Sequence, residues 1–169
     1  MMNLKRFVST GLFWLWLTVA VVTMDRWSKA WVTDHLYAFN PLELTSFLNL
    51  TLAYNTGAAF SFLHAASGWQ NWLFGMLAAV VSIFIIVWLS RLPRQAWWQC
   101  VAMCLILAGA LGNAWDRAIY GYVIDFIDFH YQDWHFAIFN IADSAICVGA
   151  AMLVFCWLPS VSGSRNHSE

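Results

Sequence analysis

Apolar residues fall along this chain in four blocks, separated by polar connections of very unequal length. The first block opens near residue 11 as "GLFWLWLTVAVVTM", 14 residues that end against Asp25. That is short of the roughly 20 apolar residues a bilayer core requires. With Lys5 and Arg6 ahead of it, the block has the outline of a secretory signal, but the "DRWSK" that follows is no small-residue cleavage site. It is read as a retained helix over about 11–32. Further spans are predicted at about 72–89, 96–115 and 136–158. Only "SRLPRQ" separates the second and third, which makes a tight hairpin. A longer segment, about 34–68, joins the first to the second. In it "FLNLTLAYN" alternates, placing Leu48, Leu50, Leu52 and Tyr54 on one side of a strand and Asn49 and Thr51 on the other. This predicts a small sheet with loops resting on one membrane face. The connection over about 116–135 is rich in acids and aromatics, and the tail 159–169 is expected to be disordered.

Composition supports the same picture. Hydrophobic residues make up 62% and charged residues 10%, against about 45–50% and 25% in soluble domains. The expected fold is an all-α integral membrane protein, a single membrane domain over 1–169. It is a four-transmembrane-helix bundle with a small extracytoplasmic β-sheet and loop region. A net charge of −1 leaves no basic patch for nucleic acid. Cys100, Cys104, Cys147 and Cys156 all sit in apolar runs and read as small hydrophobes, not as a zinc site.

The charges then orient the bundle. Lys5, Arg6, Arg91, Arg94 and Arg165 fall on one side, so both termini and the short hairpin are expected in the cytoplasm. Arg26, Lys29 and Arg117 fall on the other side, each with an acid nearby in sequence. Every acid except Glu169 lies at or beyond the outer boundary. Any chemistry is therefore expected near the extracytoplasmic face.

Two of those acids stand out. Asp143 falls within the fourth apolar block, about 10 Å below the interface by helical rise. A carboxylate there costs about 2.5–3.5 kcal/mol on insertion scales, and such residues are functional by default. Asn140 shares its helix face, and a hydrogen-bonded pair that fixes packing is the structural alternative. Asp125 lies in "GYVIDFIDFHYQDWH", flanked by Val123, Ile124, Phe126 and Ile127, and can dip into the interface. Asp128, Asp133, His130 and His135 read as solvated loop residues. If Asp125 and Asp143 met at about 3 Å, the two could not both ionise; they would share one proton and could activate water for peptide hydrolysis.

Other polar groups gather at the same level. Asp25 and Lys29 are an i,i+4 pair, acid first. Asn113, Asp116 and Arg117 share a face of the third span. "NTGAAF" couples Asn55 to Gly57, which permits a turn or a close backbone approach. Each cluster alone reads as an interfacial ion pair or a tight loop. No G-x-S-x-G, HExxH, phosphate loop or dinucleotide fingerprint is present, so no cofactor and no metal is expected. A metalloprotease built on "DFIDFHYQDWH" lacks a helical His pair, and a proton relay lacks polar residues in the cytoplasmic half of the spans.

"DRWSK" (25–29), "NTGAAFS" (55–61), "GNAWDR" (112–117), "VIDF" (123–126) and "FNIADS" (139–144) together resemble, in order and spacing, the signature blocks of bacterial lipoprotein signal peptidase, the type II signal peptidase. The resemblance runs from the first span to the fourth. It implies an aspartic endopeptidase of the bacterial inner membrane that removes the signal peptide of prolipoproteins just before a cysteine carrying diacylglycerol. It implies Asp125 and Asp143 as the catalytic pair, with Asp25, Asn55, Asn113, Arg117 and Asn140 as polar supports. Lys29 and Gly57 fall in the same blocks. Its implied partners are the prolipoprotein, membrane lipid and the cyclic-peptide inhibitor globomycin. Single-chain action is the default, since no helix-dimer motif is evident.

Overall fold

The computed structural model describes residues 8–38, 40–57, 69–132 and 134–157, the side chains of Gln70 and Trp157 excepted. Residues 58–68 and 159–169, expected as part of the extracytoplasmic loop region and as a disordered tail, and Asp133 lie outside the described residues. After a 3-10 turn at Gly11–Trp14, helix α1 spans Leu15–His35. Strands β1 (Leu42–Thr45) and β2 (Leu48–Asn55) follow, then α2 (Trp69–Leu89) and α3 (Trp97–Tyr120). Strands β3 (Val123–Tyr131) and β4 (Trp134–His135) lead into α4 (Ile141–Trp157). The four strands form one antiparallel sheet in the order β1-β2-β3-β4.

Two helical segments, Asn71–Leu89 and Trp97–Tyr120, are long and apolar enough to cross a membrane. Helix α4 is apolar but has 17 residues, and α1 carries Asp25, Arg26, Lys29 and Asp34 along its length. The outward face of α2 fits a lipid environment. Met76, Val80, Ile83 and Phe84 are each more than half exposed there, where water would penalise them.

Several boundaries differ from the expectation, for local reasons. The fourth helix begins at Ile141 and not at residue 136, because the preceding segment pairs with β3. Phe139 N–H donates to the Ile127 carbonyl at 3.1 Å, and Phe136 N–H to the Phe129 carbonyl at 2.8 Å. The acidic connection is not a loop. Helix α3 runs on to Tyr120, and β3 and β4 complete the sheet. The alternation read in β2 is broken. Leu50 pairs with Ile127 and Ala53 with Asp125, so Thr51 and Leu52 together oppose Phe126. That bulge shifts the phase, and Asn49 and Leu52 are the buried positions.

Two apolar clusters hold the bundle. One gathers Leu12, Ile85, Leu89, Cys100, Met103 and Leu107 at the end where the α2–α3 hairpin closes. The other joins Val32 of α1 to Leu52, Ile124 and Phe126, seating the sheet on the far end of α1. Helices α3 and α4 pack so closely that a Cβ on Gly109 would overlap the Ala142 carbonyl oxygen. Small residues are what allow two backbones to approach this far where lipid offers no hydrophobic drive.

Candidate active site

The sheet and three helices meet around a buried polar centre. Helix α1 contributes Asp25, 0% exposed, and Lys29, 1% exposed; α3 contributes Asp116, 0% exposed. The Lys29 ammonium lies 3.0 Å from Asp25 Oδ2 and 2.7 Å from Asp116 Oδ2. Arg26 spans the same two acids, Nη2 at 3.2 Å from Asp25 and Nη1 at 2.6 Å from Asp116. Two cations and two anions thus cancel, as buried charge requires. Gly112 makes room for the cluster, since a Cβ there would sit 2.8 Å from Asp25 Oδ2.

Each buried acid also grips a backbone amide. Asp25 Oδ1 accepts from Ala142 N–H at 3.1 Å, and Asp116 Oδ2 from Ile124 N–H at 3.3 Å. Ala142 immediately precedes Asp143, and Ile124 immediately precedes Asp125. The ion cluster therefore fixes the two chain segments that carry the two candidate acids.

Asp143 lies in the first turn of α4, not two turns into a helix as the sequence suggested. Asn140 and Asp143 form a reciprocal cap. Asp143 N–H donates to Asn140 Oδ1 at 2.9 Å, and Asn140 N–H donates to Asp143 Oδ2 at 3.2 Å. This is a capping box with Asn at the cap and Asp three residues on.

Asn140 joins the two acids. With its Oδ1 taken by Asp143 N–H, its Nδ2 faces Asp125 Oδ1 at 2.6 Å, with Asn113 Oδ1 at 3.2 Å and the Ile124 carbonyl at 3.3 Å. Asn113 is oriented in turn. Lys29 donates to its Oδ1 at 3.4 Å, and its Nδ2 donates to Asp143 Oδ1 at 2.7 Å. Asp125, on β3, is 2% exposed. Its second oxygen accepts from Asn55 Nδ2 at 3.0 Å, a reach set by the bulge that pairs Ala53 with Asp125. Burial pushes the Asp125 carboxyl up to about 6, against the pull of its bond from Asn55, and the charge of Asp143 adds to the rise.

Asn55 Oδ1 accepts from Gly57 N–H at 2.9 Å, and Gly57 takes a left-handed φ of 85°. The rest of the "NTGAAF" segment lies outside the described residues. Arg117 stacks its guanidinium 4.5 Å over Phe74 and donates to the Asn113 carbonyl at 3.4 Å. Beside it a cleft of about 580 Å³ opens between α2 and α3, lined by Asn71, Trp72, Gly75, Met76, Ala114 and Arg117 among others.

All nine residues singled out from the sequence thus lie in one neighbourhood, Gly57 at its edge. What binds them is a set of contacts between distant segments. Arg26 and Asp116 belong to the central cluster, and "NIAD" is a legible cap signal ahead of an apolar run. Asp128 was misread as solvated. It is 3% exposed and accepts from Thr51 Oγ1 at 3.0 Å, with His135 Nδ1 at 2.9 Å. His130 stacks on His135, so the pair of histidines belongs to the sheet edge.

Apolar helices closed around a buried, acid-bearing polar centre suit a membrane enzyme. Comparison with known proteins agrees. The family model described as signal peptidase (SPase) II matches residues 17–158. The chain is 51% identical over 152 residues to the lipoprotein signal peptidase of Yersinia enterocolitica, covering 89% of each chain. It is 52% identical over 141 residues to that of Coxiella burnetii, covering 83% of this chain and 86% of the relative. A solved bacterial membrane enzyme superposes with a TM-score of 0.76 at 31% identity, covering 85% of this chain and 90% of its own. The chain belongs to the signal peptidase II family, and is by that membership a bacterial membrane protein and an aspartic endopeptidase.

Proposed function

We propose that this chain removes the signal peptide of diacylglyceryl-modified prolipoproteins, cleaving just before the lipid-bearing cysteine with water activated by Asp125 and Asp143. The observation that carries the reading is Asn140, which bonds both carboxyl-bearing residues and holds them in one site. The shared proton rests on Asp125, the acid in the drier setting. Asp143, at the amino end of α4, is the base. It takes a proton from water as the water oxygen attacks the scissile carbonyl carbon. Asp125 gives its proton to the carbonyl oxygen. Collapse of the tetrahedral intermediate breaks the C–N bond and returns a proton to the departing cysteine amine. Asn55 keeps Asp125 oriented, and Lys29, through Asn113, does the same for Asp143.

In this reading all four helices span, both termini lie in the cytoplasm, and the acids sit near the extracytoplasmic face. The substrate is itself a membrane helix with its lipidated cysteine at the outer interface, so a site at that level meets the scissile bond. The apolar cleft beside Arg117 suits the diacylglyceryl chains, a globomycin-type inhibitor would compete at the acids, and a single chain suffices. Asp125→Asn and Asp143→Asn keep shape and remove acidity. Assayed separately on a lipidated prolipoprotein in detergent, each is expected to abolish cleavage while the chain still folds and inserts. Wild-type processing by either variant would remove that residue from the mechanism. Loss of folding with Asp143→Asn would instead favour a purely structural cap. Activity is expected to persist in EDTA, and its loss there would favour a metal.

A further inference from the structure

The end of the bundle opposite the acids carries two apolar grooves that the reaction does not use. One, of about 280 Å³, is lined by Trp88, Leu92, Gln99, Met103, Leu153 and Cys156. The other, of about 240 Å³, is lined by Phe84, Val87, Trp88, Arg91 and Leu92. Trp88 and Leu92 belong to both, so the grooves flank one ridge. Phe84 packs edge-on against Trp88, with centroids 5.2 Å apart, and stiffens that ridge.

Among the described residues, charge at this end is one-sided. Arg91 is exposed, and among the described residues its guanidinium has no hydrogen bond or ion pair. Arg94 is committed elsewhere, its guanidinium 3.5 Å over the Phe13 ring. Among the described residues no Asp or Glu lies on the hairpin or on the helix turns beside it. An exposed cation at the rim of an apolar groove, at the end of a membrane helix, complements a lipid phosphate. A net-negative headgroup is favoured over a zwitterionic one, which brings its own ammonium.

We propose that this end binds one anionic phospholipid, its phosphate against Arg91 and one acyl chain in each groove astride Trp88. Two grooves on one ridge match a two-chain lipid, and a free phosphate would leave both empty. The proposal rests on the reading that α2 and α3 cross a membrane.

The test uses the full chain in detergent, titrated with phosphatidylglycerol or phosphatidylcholine of the same chains, with retained lipid counted by native mass spectrometry. Wild type is expected to prefer phosphatidylglycerol by about fivefold, the gain ascribed to one basic residue. Arg91→Gln should abolish the preference. Val87→Trp, which fills one groove and leaves the charge, should weaken binding of both lipids. Glycerol 1-phosphate at the same concentration should not displace the lipid. Cleavage by both variants in detergent is expected to match wild type. Equal retention of the two lipids, an undiminished preference in Arg91→Gln, or displacement by glycerol phosphate would each overturn the proposal. Release of the chain from membranes by alkaline carbonate would overturn the spanning reading, and this proposal with it.

Discussion

Lys29→Met is the perturbation that tests most directly how the centre is held. The ammonium is 1% exposed and reaches two carboxylates and one amide oxygen. Methionine fills nearly the same volume, so packing changes little. What changes is charge. Asp25 and Asp116 stay buried with Arg26 alone, and the cluster goes from neutral to one net negative charge. Removing one partner of a buried pair costs about 3–5 kcal/mol, because the other is left uncompensated. For a chain of this length each kcal/mol lowers Tm by about 2–4 °C, so a fall of about 6–20 °C is expected. Unfolding is followed in detergent with a thiol-reactive dye that reports the buried Cys100 and Cys104, in a background lacking the exposed Cys147 and Cys156. The double variant Asp25→Asn/Lys29→Met restores neutrality, and the amide oxygen it places in helix α1 can still accept from Ala142. It should therefore unfold at a higher temperature than Lys29→Met alone. A fall of less than about 2 °C in the single variant would refute the electrostatic account, since a buried pair of this worth shifts Tm further. So would strictly additive costs in the double.

Asn140→Ala deprives Asp125 and Asp143 of their shared partner, and prolipoprotein cleavage should fall by about 100-fold or more, the cost of misplacing reacting groups by about an ångström. Asp125→Asn should alter the pH dependence of stability. The folded-state value is raised to about 6 from 3.8, so the stabilising proton is fully held below about 3.8 and lost as pH rises through about 6. Asparagine has no proton to lose, so between pH 4 and pH 7 the variant should gain up to about 3 kcal/mol of stability relative to wild type, read as a relative rise in Tm in detergent; an unchanging gap would count against a buried, proton-holding Asp125. Gly109→Ala forces α3 and α4 apart at the Ala142 carbonyl and should cost about 1–3 kcal/mol, read as a lower Tm in detergent.

Much of the site was legible because its chemistry conflicts with its surroundings. Asp143 inside an apolar block and Asp125 between four apolar neighbours are expensive placements, and expense marks purpose. The i,i+4 spacing of Asp25 and Lys29 likewise predicts a pair that forms at 3.0 Å. What stayed hidden depends on contacts between distant parts of the chain. The link from Asp116 to Arg26 joins α3 to α1, and no local pattern announces it. The bulge in β2 follows from pairing with β3, a strand whose acids made it read as a loop. Asp128 looked solvated because its partners, Thr51 and His135, lie far off in sequence or on another strand. The cap at "NIAD" is by contrast local, an Asn and an Asp three residues apart that start α4.

The buried charges raise a physical question that the two candidate acids answer. Four ionised groups at the junction of α1 and α3 stabilise a fold poorly, and apolar residues of similar volume often do as well or better. Leucines in those positions, however, could not accept from Ala142 and Ile124. Those two amides precede Asp143 and Asp125, one in the first turn of a helix and the other on a strand. Anchoring both to a single cluster ties a helix terminus to a sheet at a separation set by the Lys29 and Arg26 bridges. The bridges are ion pairs of 2.6–3.2 Å, and the one from Arg26 Nη2 to Asp25 Oδ2 is also a charge-assisted hydrogen bond. The cluster is thus better explained by the geometry it imposes on two carboxyls than by the stability it adds. On that account its disruption should harm catalysis even at temperatures where the bundle remains folded.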